Sequence, residues 1–266
     1  MLNIERVDYI LKELRQKKAV LVSDLAKRYN VSPSTIRRDF SDLEKEGILR
    51  RTYGGAVLIE HQSNEIPYAV RTYENKSEKS VIGKLATRLV RDEMYIILDG
   101  TSTTAHMVKY LQKKNDLKII TNSAQIALDC LDALTSAQIC CTGGWLNNFN
   151  RSFLGESARQ RLADFTCDLL FFSARSISLE NGVTDVSDED VSIKQQMIKS
   201  SRKVVFLCDS TKFDRVSYRR LCDLSSLDCL VTNQKPSDEW LQALEKARVK
   251  VLYPKDAEAD ALKPDA

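Results

Sequence analysis

VSPSTIRRDFSDLEKEGILRRTYGGA, residues 31–56, is the stretch on which the fold turns. Ser32 is suited to cap a helix, and Pro33 falls at the first helical position, where its missing N–H costs nothing. Ile36, Phe40 and Leu43 then recur at helical spacing, and Gly47 supplies a C-terminal cap. Beyond the glycine, Ile48–Arg51 and Ala56–Ile59 have the texture of two short strands. Thr52, Tyr53, Gly54 and Gly55 join them as a turn.

Upstream lie two more helices. Ile4, Val7, Ile10, Leu11 and Leu14 mark an amphipathic helix over residues 3–18, ending in a basic run. Val20–Asn30 carries a second, with Leu25, Ala26 and Tyr29 inward and Ser23 as its cap. The order helix, helix, tight turn, helix, hairpin is that of a winged helix-turn-helix over residues 1–58. Such units lay the second paired helix in the major groove, with its first residues on base edges. The candidate contacts are Ser32, Ser34, Thr35, Arg37 and Arg38 from that helix, with Arg50, Arg51, Tyr53 and Gly54 from the hairpin. Serine and threonine bond phosphate or base, and arginine bonds guanine or phosphate. Residues 1–57 carry a net charge of +4 and the remainder −1, so the positive excess lies where a nucleic-acid module needs it. A protein-binding module is the bland alternative. Capping, spacing, basic face and hairpin together favour double-stranded DNA.

Downstream, residues 59–75 contain Pro67 and polar clusters without clean periodicity, and are expected to be a linker. A helix is expected at about 76–91. The texture then changes to apolar runs: MYIILDG, LKIITNS, SAQICCTGG, CDLLFFSA, KVVFLCDST, DCLVTN and KVLYP. Helical stretches such as Ala105–Lys113 and Ala124–Asp132 separate many of them. That alternation predicts a Rossmann-like α/β domain over 76–256 with a largely parallel sheet. Residues 257–266 are expected to be an irregular tail.

Open α/β sheets bind ligands at the C-terminal ends of their strands. The strongest signal of this kind is DGTSTT, where a strand ends at Asp99 and Gly100 permits a tight turn. Thr101, Ser102, Thr103 and Thr104 offer hydroxyls and amides at the start of a helix, a setting that attracts phosphate. The spacing matches neither a P-loop nor a dinucleotide fingerprint, so a small phosphate or polyol ligand fits better than a nucleotide. Asn122, Gly143, Gly144, Lys194, Asp209 and Lys212 lie at or near other strand ends and complete the candidate ring.

Composition excludes other classes. Seven cysteines without C-x-x-C spacing suggest buried reduced thiols, and two scattered histidines give no zinc pattern. No metal, cofactor or catalytic residue is expected. No apolar run of 18 residues or N-terminal leader pattern is present, so a cytoplasmic protein without membrane contact is expected.

The two halves resemble the DeoR family of transcriptional regulators. In the first half the resemblance rests on SPSTIRRDFSDLEKEGILRRTYGGA, and in the second on DGTSTT, TNS, TGG, NGVTD (181–185) and CDSTKF (208–213). It implies a repressor of carbohydrate-metabolism genes, with a sensor domain similar to ribose-5-phosphate isomerase and a phosphorylated sugar as effector. It assigns Asp99 to Thr104, Asn122, Lys194 and Lys212 to that ligand. Tyr53 departs from the histidine that many members carry in the wing. Isomerases of this shape carry an Asp-Gly-Ala-Asp run where this chain reads Ser173, Ala174, Arg175 and Ser176, and a glutamate where it has Ile193. A sensor is therefore expected rather than an enzyme, since isomerisation needs a general base. An isomerase-like enzyme with a DNA-binding head, and an adaptor whose head binds protein, remain as alternatives. Paired heads reading repeated half-sites imply a homo-oligomer, a dimer or tetramer.

Overall fold

The computed structural model describes residues 3–45, 47–59 and 67–254, which form two compact units meeting at Lys76 and Ser77. In the first unit α1 (Asn3–Lys17) leads into β1 (Ala19–Leu21), α2 (Val22–Tyr29), α3 (Pro33–Lys45), β2 (Leu49–Thr52), β3 (Gly55–Leu58) and α4 (Tyr68–Tyr73). Ile10, Leu11, Leu14, Leu25, Ile36, Phe40, Leu43, Ile48 and Leu49 are almost fully buried in one core. The apolar stripes read from the sequence are thus the faces that meet. Ser32 caps α3 as expected, its Oγ accepting from the Thr35 N–H at 3.2 Å. Gly47 ends the helix in the left-handed region at φ +71, with its N–H on Glu44 O.

Three expectations need correction. The wing has three strands in the order β1-β3-β2, because Ala19–Leu21 pairs with Gly55–Val57. That pairing also replaces Ser23 as the cap of α2. The helix starts two residues earlier, at Val22, whose N–H donates to Gly54 O at 2.9 Å across the hairpin tip. Gly55 allows the approach, since a Cβ there would lie 2.3 Å from Val20 O. Finally, the second half of the expected linker is α4, with Tyr68, Ala69 and Val70 buried and the last two in the core of the first unit. Residues 60–66 of that linker and the tail 257–266 lie outside the described residues.

The second unit opens with α5 (Lys76–Ala86) and continues through β4 (Tyr95–Leu98), α6 (Ser102–Ala105), β5 (Lys118–Thr121), α7 (Ala124–Ala133) and β6 (Gln138–Cys141). A hairpin follows, β7 (Trp145–Asn147) and β8 (Ser152–Leu154), then α8 (Glu156–Ala163), β9 (Cys167–Phe172), β10 (Ser176–Ser178), β11 (Gly182–Asp185) and α9 (Asp188–Lys199). The last elements are β12 (Ser201–Leu207), β13 (Arg219–Cys222), β14 (Cys229–Val231), α10 (Asp238–Lys246) and β15 (Lys250–Leu252). The seven apolar runs form one parallel sheet, β15-β14-β12-β9-β4-β5-β6. Helices α8, α9 and α10 cover one face and α5 and α7 the other, so the strands are buried on both sides. From β4 the chain builds outward to β6, then returns to lay β9 on the other side of β4. This reversal opens a crevice above β4 and β9, where doubly wound sheets hold their ligands. The hairpin β7–β8 and the antiparallel sheet β10-β11-β13 are inserted after β6, β9 and β12, at the same end of the strands. Four of the seven cysteines are buried, whereas Cys141 on the edge strand is exposed.

Candidate functional site

In the first unit, Ser34, Arg37 and Arg38 are exposed on the side of α3 opposite Ile36 and Phe40, and Thr35 is half-buried. The Ser32 hydroxyl lies 2.7 Å from Ser34 Oγ and 2.8 Å from Thr35 Oγ1, so three hydroxyls cluster at the start of the helix. A buried bidentate pair sets the helix's orientation: Arg6 Nε and Nη2 donate to Asp39 at 2.6 and 3.0 Å, tying α3 to α1. Arg50 and Tyr53 are exposed on the wing, and Gly54 turns it at φ +85. Arg51 differs from its neighbour. Its backbone N–H and its Nε donate to the two oxygens of Glu44 at 2.8 and 2.6 Å, bracing β2 against α3. The backbone bond to Arg51, then the guanidinium, hold the Glu44 carboxyl below its usual range. Among the described residues no such pair engages Arg37, Arg38 or Arg50.

In the second unit the crevice above β4 and β9 is built on Asp99, which is fully buried. Its Oδ1 accepts from Thr101 N (3.2 Å), Thr101 Oγ1 (2.7 Å) and Thr104 Oγ1 (2.6 Å), and its Oδ2 from Ser173 N at 3.0 Å. Four donors thus hold the carboxylate, three of them on Oδ1. The Thr101–Thr104 segment is therefore divided. Thr101 and Thr104 fold the loop onto Asp99, while Ser102 and Thr103 meet two lysines. Lys79 Nζ donates to Ser102 Oγ at 3.1 Å, and Lys212 Nζ lies 3.5 Å from Thr103 Oγ1 and 2.8 Å from Ser173 Oγ. Because α6 has four residues, the expected pull of a helix start is small, and the two ammonium groups carry the positive charge.

Lys194 is also in the crevice, yet it is held by protein. Its Nζ donates to Asp185 Oδ2 at 2.6 Å and lies 3.9 Å from Asp99 Oδ2. Burial lowers its pKa, but Asp185, Asp99 and Asp190 outweigh that and raise it above the ordinary lysine value. Asp209 shows the mirror case. Burial raises it, but Lys212, the Thr211 bonds and Lys79 hold it below the ordinary carboxylate value. The carboxylates of the crevice stand at positions other than 173–176 and 193, where the isomerase acids are replaced. They are engaged: Asp99 by four donors, Asp185 by Lys194, Asp209 by Thr211 and Lys212.

Gly100 and Asn122 meet across Ser152 of the inserted hairpin. A Cβ at position 100 would lie 2.2 Å from Ser152 Oγ and 3.2 Å from Asn122 Oδ1. Asn122 Nδ2 donates to Phe153 O at 3.3 Å, which fixes the amide's orientation. Its buried Oδ1 has no donor among the described residues. Gly143 and Gly144 stand apart from the Asp99–Lys212 cluster, at the end of the edge strand β6. Both have positive φ, and Gly144 abuts Leu154 O and Ala158, so turn geometry accounts for their glycines.

Sequence reasoning missed Lys79, Ser173, Asp185 and Ser152. For Lys79 a signal existed. It falls on the same helical face as Ile82, Gly83 and Ala86, a charge on an apolar stripe.

A helix-turn-helix with an open basic face, joined in one chain to an α/β unit with a crevice at its strand ends, defines a DNA-binding transcriptional regulator. The chain belongs to the DeoR family: residues 6–62 match the DeoR-like helix-turn-helix domain and residues 74–234 the DeoR C terminal sensor domain. It is 31% identical to the provisionally named aga operon transcriptional repressor of Escherichia coli O157:H7, over 93% of each chain. It is likewise 31% identical to the HTH-type transcriptional repressor GlcR of Bacillus subtilis (strain 168), over 93% of this chain and 95% of that one. These relatives are named as regulators, and the chain is a regulator rather than an enzyme. Among solved structures it is similar to ribose 5-phosphate isomerase A from Methanocaldococcus jannaschii, at 16% identity and a TM-score of 0.39, over 53% of this chain and 55% of that one. No helix among the described residues is long and apolar enough to cross a membrane.

Proposed function

We propose that this regulator represses carbohydrate-metabolism genes and that a phosphorylated sugar, bound in the crevice above β4 and β9, controls its grip on the operator. One observation carries the reading: Lys79 and Lys212 converge from separate elements on the neighbouring hydroxyls of Ser102 and Thr103. Two ammonium groups and two hydroxyls around one turn suit a phosphate monoester. The unpartnered Oδ1 of Asn122 suits a hydroxyl donor on the rest of the same ligand. The repressor names of the relatives support the sign of regulation.

DNA is read by Ser32, Ser34, Thr35, Arg37 and Arg38 in the major groove, with Arg50, Tyr53 and Gly54 at the flanking backbone. Two or more copies bind repeated half-sites, because one recognition helix covers few base pairs. A gel shift on the promoter upstream of the chain's own gene tests the whole reading, with and without a panel of pentose and hexose phosphates. Retarded DNA that is released by one member of the panel, and not by the unphosphorylated sugar, is the expected result. Retardation indifferent to every member would remove the effector assignment, and no retardation of any promoter fragment would remove the DNA assignment.

A further inference from the structure

Strand β6 ends the parallel sheet. It is hydrogen-bonded to β5 on one side and, among the described residues, to no strand on the other. Gln138 N and Thr142 N donate to Leu117 O and Thr121 O, so the even-numbered residues face β5. The backbone groups of the residues between them turn the opposite way. The N–H and C=O of Ile139 and Cys141 therefore point out from the sheet's edge, met only by a weak contact from the Cys140 thiol to Cys141 O at 3.7 Å. The opposite edge is guarded. Strand β15 carries the exposed Lys250, and Pro254 follows it closely; a charge and a proline are devices by which edges refuse partners. Strand β6 reads Gln-Ile-Cys-Cys and has neither.

The elements next to β6 add apolar surface. On α7, which packs beside it, Leu128 and Leu131 are exposed three residues apart. On β7, which follows it, Trp145 is 86% exposed and Leu146 49%. Large apolar side chains left open beside an open strand mark a contact surface. The occupant that fits is a second copy of this chain. The strand has no charge to be repelled by its own image, and its outward groups match themselves. Laid antiparallel across a two-fold axis at Cys140, Ile139 of each copy faces Cys141 of the other and exchanges both hydrogen bonds with it. No other antiparallel register engages the outward groups of both residues in both copies. We propose that β6 is the seam at which two copies join, their sheets running on as one, with α7 and the β7–β8 hairpin packed around it. This rests on the reading that more than one copy binds repeated half-sites, and it names the surface they share.

The test uses the full chain. Its mass in solution is measured by sedimentation velocity, and the protection of its backbone by hydrogen exchange. Cys141→Lys alters an exposed side chain and sets an ammonium against Ile139 of the other copy. With an unchanged circular dichroism spectrum, this variant should show half the mass of the unmodified chain. Full mass retained by the folded variant overturns the proposal and leaves the multi-copy reading standing. The second measurement needs no variant. In the unmodified chain the amides of Ile139 and Cys141 should exchange slowly at full mass and lose that protection on dilution to the half-mass species. Fast exchange of both at full mass also overturns the seam, because the copies would then meet elsewhere. An unmodified chain that sediments as a single copy at every concentration, with and without its promoter duplex, removes the multi-copy reading, and the seam with it.

Discussion

Arg50 and Arg51 are neighbours in sequence and opposites in circumstance. Arg50 is exposed, whereas Arg51 is bound to both oxygens of Glu44. Each Lys or Arg that neutralises a phosphate adds about one unit to the salt dependence of DNA binding. Arg50→Ala should therefore reduce the slope of log affinity against log salt by about one, and Arg51→Ala should leave it nearly unchanged. Equal slopes in the two variants would put both arginines on DNA. On α3, Arg37→Ala and Arg38→Ala should each weaken operator binding by about 1–3 kcal/mol where the side chain meets a base. Retention of full affinity by both would remove α3 as the reading helix. Asp209 gives a pH prediction. Its folded pKa lies below the ordinary 3.8, so the stability it contributes is complete above that value and is lost as pH falls through the folded value. Asp209→Asn should flatten the acid limb of a plot of urea midpoint against pH.

Elements differ in how openly the sequence declares them. The seven strands of the parallel sheet were legible because strands buried on both faces become continuous apolar runs between turn residues. Helix α3 was legible from stripe and cap, α1 from its stripe, and α7 as a helical stretch between apolar runs. Strands β1 and β7 were not, since three residues cannot establish a period, and the partner of β1 lies far along the chain. The single helix expected over Ala105–Lys113 is instead the end of the four-residue α6 followed by a tighter 3-10 helix over Val108–Lys113. Site residues followed the same rule. Asp99 to Thr104 and Lys212 announce themselves at strand ends, but which hydroxyl faces inward depends on tertiary bonds. Between elements of the first unit, Arg6 and Asp39 form a buried bidentate pair. Breaking a buried pair from one side is strongly destabilising, so Asp39→Ala should lower the stability of that unit by about 3–5 kcal/mol. A thermal melt of the full chain with an early transition would show it, and an unshifted melt would deny the pair that role.

At the scale of the whole molecule, charge is divided as function requires. The DNA-binding unit holds the positive excess, and the α/β unit is close to neutral, with Lys79, Lys194 and Lys212 gathered in one crevice. Operator affinity should accordingly fall steeply between low and moderate salt, while affinity for a phosphorylated sugar should fall less, because its cations are enclosed. Parallel salt titrations of the two equilibria would separate them. Similar slopes would mean that the crevice is as open to solvent as the recognition helix.

The tip of a β-hairpin is ordinarily where a chain accepts extra residues without complaint. In this wing that latitude is gone. The carbonyl of Gly54 ends the hairpin and also begins α2, through its bond to the Val22 N–H. Wing length and helix start are therefore one measurement. Lengthening the loop between Tyr53 and Gly54 by even two residues would draw the carbonyl away and unseat α2, and with it the helix pair that frames α3. Descendants of this sequence can change the side chain at Tyr53 without disturbing that bond, but they inherit its distance from the turn.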